Sequence, residues 1–148
     1  MSDLNTVQIK GNNMSSNKSR VFGWLLTGLV GLFMIGASGI PKFVDWPGKN
    51  EMMGNLGIPL TLIPTIGVIE IAVTVIYLIP RLSFLGAILI TGYLGGAVMT
   101  HLRVGEPWFF PIIIGVLAWI GLALRQPVIS RLAMGTPKQS GQSQVKSS

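Results

Sequence analysis

The fold is decided by residues 60–79, LTLIPTIGVIEIAVTVIYLI, and by Pro80, which closes them. These twenty residues carry a single acidic or basic side chain, Glu70. As an α-helix they rise about 30 Å, the thickness of a bilayer's hydrocarbon core. A strand of that length would leave its edges unpaired in lipid, so helix is the conformation expected. Outward from this run the pattern recurs at 21–40, 82–100 and 108–124, runs of 17 to 20 residues each. Prolines punctuate them: Pro41 follows the first run, Pro59 and Pro64 open the second, and Pro107 and Pro111 open the fourth. The sequence therefore specifies an all-α protein, an integral membrane bundle of four transmembrane helices.

The links differ in length. Pro80-Arg81 makes a tight turn, so the second and third helices form an antiparallel hairpin. Residues 101–107 read as a short loop. The stretch 41–59 is longer, and Asp45-Trp46-Pro47 followed by 49–56 suggests a short interfacial helix anchored by Trp46. Trp24 and Trp108 lie near run ends, as an aromatic belt requires. The membrane domain spans 21–126. Residues 1–20, rich in Asn and Ser, read as a disordered tail with no secretory-signal pattern, and 127–148 as a polar tail, disordered from Thr136.

Composition agrees. Over 148 residues, 49% are hydrophobic and 11% charged, against about 25% charged in a soluble domain. The net charge of +6 forms no compact basic patch and does not point to nucleic acid; the charges fall at the chain ends and between the apolar runs. Lys10, Lys18, Arg20, Arg81, Arg125, Arg131 and Lys138 lie on one side; Lys42, Lys49 and Arg103 lie on the other. This asymmetry places both termini in the cytoplasm of a multi-pass protein in the lipid bilayer. Cysteine is absent and there is one histidine, which excludes disulfides, thiolate metal sites and bis-histidine haem ligation by one chain. No metal-ligand spacing, phosphate loop or nucleophile–base arrangement occurs, so neither a catalytic residue nor a metal site is expected.

Glu70 is the most informative residue. The eleventh of twenty in its run, it sits near the bilayer midplane, where an acidic group costs about 2.5–3.5 kcal/mol on insertion scales. It must face the bundle interior, and is expected to keep its proton unless a cation or a water chain reaches it. Gly67, Glu70, Thr74 and Tyr77 share one helical face; Tyr93, Gly96, Thr100 and Arg103 share another on the third helix. His101 and Arg103 read either as interfacial anchors or as the cap of a cavity floored by Glu70. Lys42 and Asp45 cap the first helix, with Lys42 reaching for the headgroups. Gly28, Gly31, Gly36 and Gly39, and Gly92, Gly95 and Gly96, are expected to let helices pack closely within the bundle; a homodimer face is the alternative.

Gly67-Val68-Ile69-Glu70-Ile71-Ala72, Tyr77-Leu78-Ile79-Pro80-Arg81, Leu85-Gly86-Ala87-Ile88-Leu89, Thr91-Gly92-Tyr93-Leu94-Gly95-Gly96-Ala97 and Thr100-His101-Leu102-Arg103-Val104-Gly105 together resemble the DoxX-like family. Gly39, Lys42-Phe43 and Leu56-Gly57-Ile58-Pro59 fit the same pattern, so the resemblance covers residues 21–126. It implies a four-helix protein of the bacterial cytoplasmic membrane. It also implies a non-catalytic subunit or small-molecule site, with a quinone as candidate ligand and a membrane-associated oxidoreductase as candidate partner. No covalently bound cofactor is expected. The residues that would bind ligand or relay protons are Glu70, Thr74, Tyr77, Tyr93, Thr100, His101 and Arg103. A small proton-coupled carrier using Glu70 is the alternative.

Overall fold

The computed structural model describes residues 2–135, and all its secondary structure there is helical. Helix α1 spans Ser2–Leu32 and runs on through a π-helical turn, Phe33–Gly39, and a 3-10 turn, Ile40–Lys42. Helix α2 is the short segment Lys49–Asn55. Helices α3 (Ile63–Leu78), α4 (Ser83–Val104), α5 (Phe109–Arg125) and α6 (Pro127–Met134) complete the described chain. Asn17–Lys42, Leu60–Leu78 and Ser83–Val104 are long and apolar enough to cross a membrane; α5 is apolar but shorter, at 17 residues.

The helices run up and down around a square: α1 packs on α5 and α3, and α4 packs on α3 and α5. Val30, Met34, Val73, Tyr77, Ala87, Ile90, Leu94, Ile114, Ala118 and Leu122 fill the centre. Large apolar side chains such as Leu29, Val68, Ile88 and Val116 point outward and are about half exposed, the inside-out distribution of a lipid-facing bundle.

Backbone proximity sets the crossings. A Cβ on Gly86 would run into the Tyr77 backbone, so this glycine lets α4 lie directly against α3 beside their turn. That turn is closed by the Leu82 N–H donating to the Ile79 carbonyl at 3.0 Å. Gly23 meets the end of α5 in the same way, with its missing Cβ 2.7 Å from the Arg125 nitrogen. The apolar start of α1, the end of α5 and the α3–α4 turn therefore share one end of the bundle, the hairpin end. Segment 43–62, with α2, lies at the other.

Several expectations are corrected. Helix α1 begins at Ser2, in place of the unstructured tail expected; no proline interrupts residues 1–40, so the helix runs back from its apolar part. Residues 127–134 form α6, started by Pro127 at its first position after the extended Gln126, and Ile129 packs on the core. Residues 136–148 lie outside the described residues. His101 and Arg103 are in the last turn of α4 and not in a loop. Gly105, at φ 76°, ends that helix in a Schellman motif: the Glu106 N–H donates to the His101 carbonyl and the Gly105 N–H to that of Leu102. Gly92, Gly95 and Gly96 do not mediate packing within the chain, since a Cβ on any of them would meet nothing within 4 Å.

Candidate functional site

Pro41 has no N–H to donate to Ala37, and its ring excludes the carbonyl four residues back. The helix responds by widening. The Ile40 N–H reaches the Ile35 carbonyl, five residues back, and α1 unwinds through its π and 3-10 turns. Gly39 lets the widened segment press on α3, its missing Cβ 3.0 Å from Ile71. Gly67 then makes room for Phe43 and Lys42, since a Cβ there would sit 2.8 Å from the Phe43 ring and 3.1 Å from the Lys42 Cβ. Lys42 is thereby turned into the bundle, one turn of α3 from Glu70.

The Lys42 Nζ donates to Glu70 Oε2 at 2.6 Å, to the Ser38 carbonyl at 2.9 Å and to Ser38 Oγ at 3.0 Å. An ammonium has three N–H donors, and each has an acceptor here. Glu70 is 1% exposed. The expected neutral carboxyl was conditional on no cation reaching it; a cation does, so the arrangement is an ion pair. The partner is Lys42, which therefore does not reach for the headgroups. Lys49 takes the capping role instead, donating to the Lys42 and Val44 carbonyls at 3.1 and 3.0 Å.

The pair forms part of the lining of a cavity of about 520 Å³ on the α2 side of the bundle. Its walls are mostly apolar: Ile63, Ile66 and Ile69 from α3, Phe110, Pro111 and Ile114 from α5, Met52 and Met53 from α2, and Leu56 just after it. Ser38, Tyr93, Thr100 and His101 add polar groups. Thr100 and His101 are held by their own helix, with Thr100 Oγ1 donating to the Gly96 carbonyl and His101 Nδ1 2.8 Å from that of Ala97. A second, more polar pocket of about 300 Å³ adjoins, lined by Glu51, Asn55 and Glu106 and sharing His101, Met52 and Leu56 with the first.

Of the seven sequence-predicted residues, Glu70, Tyr93, Thr100 and His101 line the cavity. Thr74, Tyr77 and Arg103 do not. Thr74 is fully buried and donates to the Glu70 carbonyl at 2.7 Å within α3. Tyr77 donates its hydroxyl hydrogen to the Ala118 carbonyl at 2.7 Å, which leaves Thr27, 3.3 Å away, to donate to the tyrosine oxygen. Arg103 donates to the Leu56 carbonyl at 3.0 Å and pins the end of α2; a Cβ on Gly57 would lie 2.9 Å from its Nη2.

Sequence reasoning missed Lys42, Ser38 and the methionines of α2. The usable signal for Lys42 was Gly36, Gly39 and Pro41 ahead of it, a set that breaks helix phase. Arg125 was also missed. Counted only as an orientation charge, it is 5% exposed, sandwiched between the Trp24 and Tyr77 rings at 4.8 and 4.9 Å, and donates to the Tyr77 carbonyl at 2.9 Å.

An all-helical bundle with apolar flanks, spanning helices and a buried ion pair beside an internal cavity defines a polytopic membrane protein with a polar interior site. The profile of the DoxX-like family matches residues 25–121, and the chain belongs to that family. Neither a curated protein nor a solved structure matches it.

Proposed function

We propose that this protein is a non-catalytic membrane subunit that holds a small amphipathic ligand of the quinone class beside a redox partner in the bacterial cytoplasmic membrane, with both termini in the cytoplasm. The observation that carries this reading is the Lys42–Glu70 pair at the wall of a largely apolar 520 Å³ cavity. Ligand sites combine apolar walls with a few placed polar groups, and this volume falls within the usual 300–1,000 Å³. The three Lys42 hydrogens are already placed, so the pair offers a headgroup hydroxyl an acceptor at the second Glu70 oxygen, and Tyr93 and Ser38 extend the polar wall. The family resemblance supports the redox setting.

The carrier reading needs a path past Glu70 toward the hairpin end. There Tyr77 and Thr27 are fully buried and bonded together, with Arg125 stacked beneath them, which favours a one-ended site. The test is purification from membranes in mild detergent, with mass spectrometry of extracted small molecules and of co-purifying proteins. Quinone and an oxidoreductase are expected with the wild type, and quinone is expected to be lost in Glu70→Gln. Recovery of the protein alone, with no quinone, refutes the proposal.

A further inference from the structure

The α3–α4 hairpin is tightest at Tyr77 and Gly86, beside its turn. Carrying that pairing along two antiparallel helices sets Glu70 opposite Tyr93, and Ile66 opposite Ala97, one residue from Gly96. At this level the seam is not closed by side chains. Gly92 and Gly96 line the cavity and are exposed, and a Cβ on either would find nothing within 4 Å. Across the seam Ile69 lines the same cavity while 48% exposed, and Ile66 is half-buried. Three side chains or backbone positions that touch both the cavity and the outside mark an opening, and both helices that bound it are membrane-spanning. A gap here would face the hydrocarbon of the bilayer at the depth of the ion pair, on a different side from the polar pocket at His101.

We infer that the ligand reaches this site laterally from the lipid phase, between α3 and α4, and is a tailed amphiphile whose headgroup meets Lys42 and Glu70 while its hydrocarbon chain leaves through the gap at Gly92 and Gly96. This rests on the cavity being a ligand site. Physical economy favours such an occupant. An apolar chain in a seam walled by Ile66 and Ile69 exchanges one hydrocarbon environment for another, and the polar headgroup gains partners absent from lipid. A wholly water-soluble ligand would leave the seam without a function and would enter past His101.

The test uses the full-length chain in phosphatidylcholine vesicles with two probes: a benzoquinone bearing a diazirine-modified hydrocarbon tail, and the same headgroup without a tail. Crosslinked residues are mapped by mass spectrometry, and tailless binding is followed by intrinsic fluorescence. Wild-type protein is expected to crosslink at Tyr93 and Ile66 inside the seam. In Gly96→Leu, seam crosslinking is expected to fall about tenfold, equivalent to about 1.4 kcal/mol against entry, while lipid-facing Val68 is labelled as before. Tailless binding should stay within about twofold, since the polar floor is untouched. Far-UV circular dichroism and thermal unfolding of Gly96→Leu itself serve as the folding control. Seam crosslinking unchanged by Gly96→Leu, or absent in the wild type while the tailless probe binds, overturns lateral entry but not the ligand site. A dimer that Gly96→Leu converts to monomer without altering crosslinking assigns the glycines to self-association and overturns the portal. Seam crosslinking with no headgroup dependence and no response to Glu70→Gln supports the portal and refutes the quinone-class headgroup.

Discussion

Separating Lys42 from Glu70 is the most informative perturbation. At 2.6 Å and an effective dielectric of about 20, the two charges attract by ~6 kcal/mol. Desolvation opposes this by several kcal/mol per ion, so the intact pair is worth little net against a matched apolar pair. The asymmetry appears when one partner goes. Lys42→Met leaves the Glu70 carboxylate, 1% exposed, without its cation, and Glu70→Met leaves an ammonium 16% exposed that keeps only its Ser38 contacts. Each is expected to cost ~3–5 kcal/mol, with Lys42→Met at the upper end because its orphaned partner is the more deeply buried. The double variant Lys42→Met/Glu70→Met should recover to within ~1 kcal/mol of wild type, a coupling energy well above ~2 kcal/mol. Reversible unfolding in mixed detergent–SDS micelles, followed by far-UV circular dichroism, measures all four corners of the cycle. If the single losses simply add, the charges are not coupled in the membrane and the geometry of the site has been misjudged.

Gly67→Ala should push Phe43 and Lys42 away from α3 and cost ~1–3 kcal/mol, with headgroup binding lost although Glu70 is intact; unfolding and probe titration report the two effects separately. Gly86→Ala drives a methyl into the Tyr77 backbone and should cost more than ~2 kcal/mol, whereas Gly92→Ala has open space and should be neutral or stabilising by up to ~1 kcal/mol through helix propensity. Equal effects at the two positions, measured by the same unfolding, would refute the packing assigned to them. Arg125→Ala removes a charge-assisted hydrogen bond and stacking between two rings, an expected loss of ~2–4 kcal/mol. Arg125→Lys should restore less than half of this in thermal stability, because a compact ammonium lacks the planar face that stacks.

The spans, the tight α3–α4 turn, the short helix after Trp46 and the inward face of Glu70 are legible in the sequence because each depends on local hydropathy, proline and helical phase. The partner of Glu70 is not. A lysine at the end of an apolar run has a ready interfacial role, and what turns Lys42 inward is a change of helix type set by Pro41 acting on a carbonyl four residues back. Tyr77 and Thr74 do lie on the Glu70 face, yet one face of a helix several turns long serves both the cavity and the core, and spacing does not say where one gives way to the other. His101 and Arg103 read as loop residues when the helix is ended with its apolar run at Thr100; the helix continues to Val104, and the stop is Gly105. Arg125 shows the limit of counting charges by side: two aromatic rings from different helices bury it at the bundle's edge, and no local pattern announces them.

The π turn at Phe33–Gly39 gives α1 a phase that a one-dimensional alignment does not see. In a uniform α-helix each residue advances about 100° around the axis, whereas the wider π turn holds about one residue more, so removing a single codon within 33–39 can restore plain α-helix and leave Lys42 near its present face. A homologue one residue shorter in this segment would thus show a gap on paper and still turn its lysine toward the glutamate. The residues at 42 and 70 themselves, more than a gap around Gly36, are what would separate members of the family that carry this ion pair from those that do not.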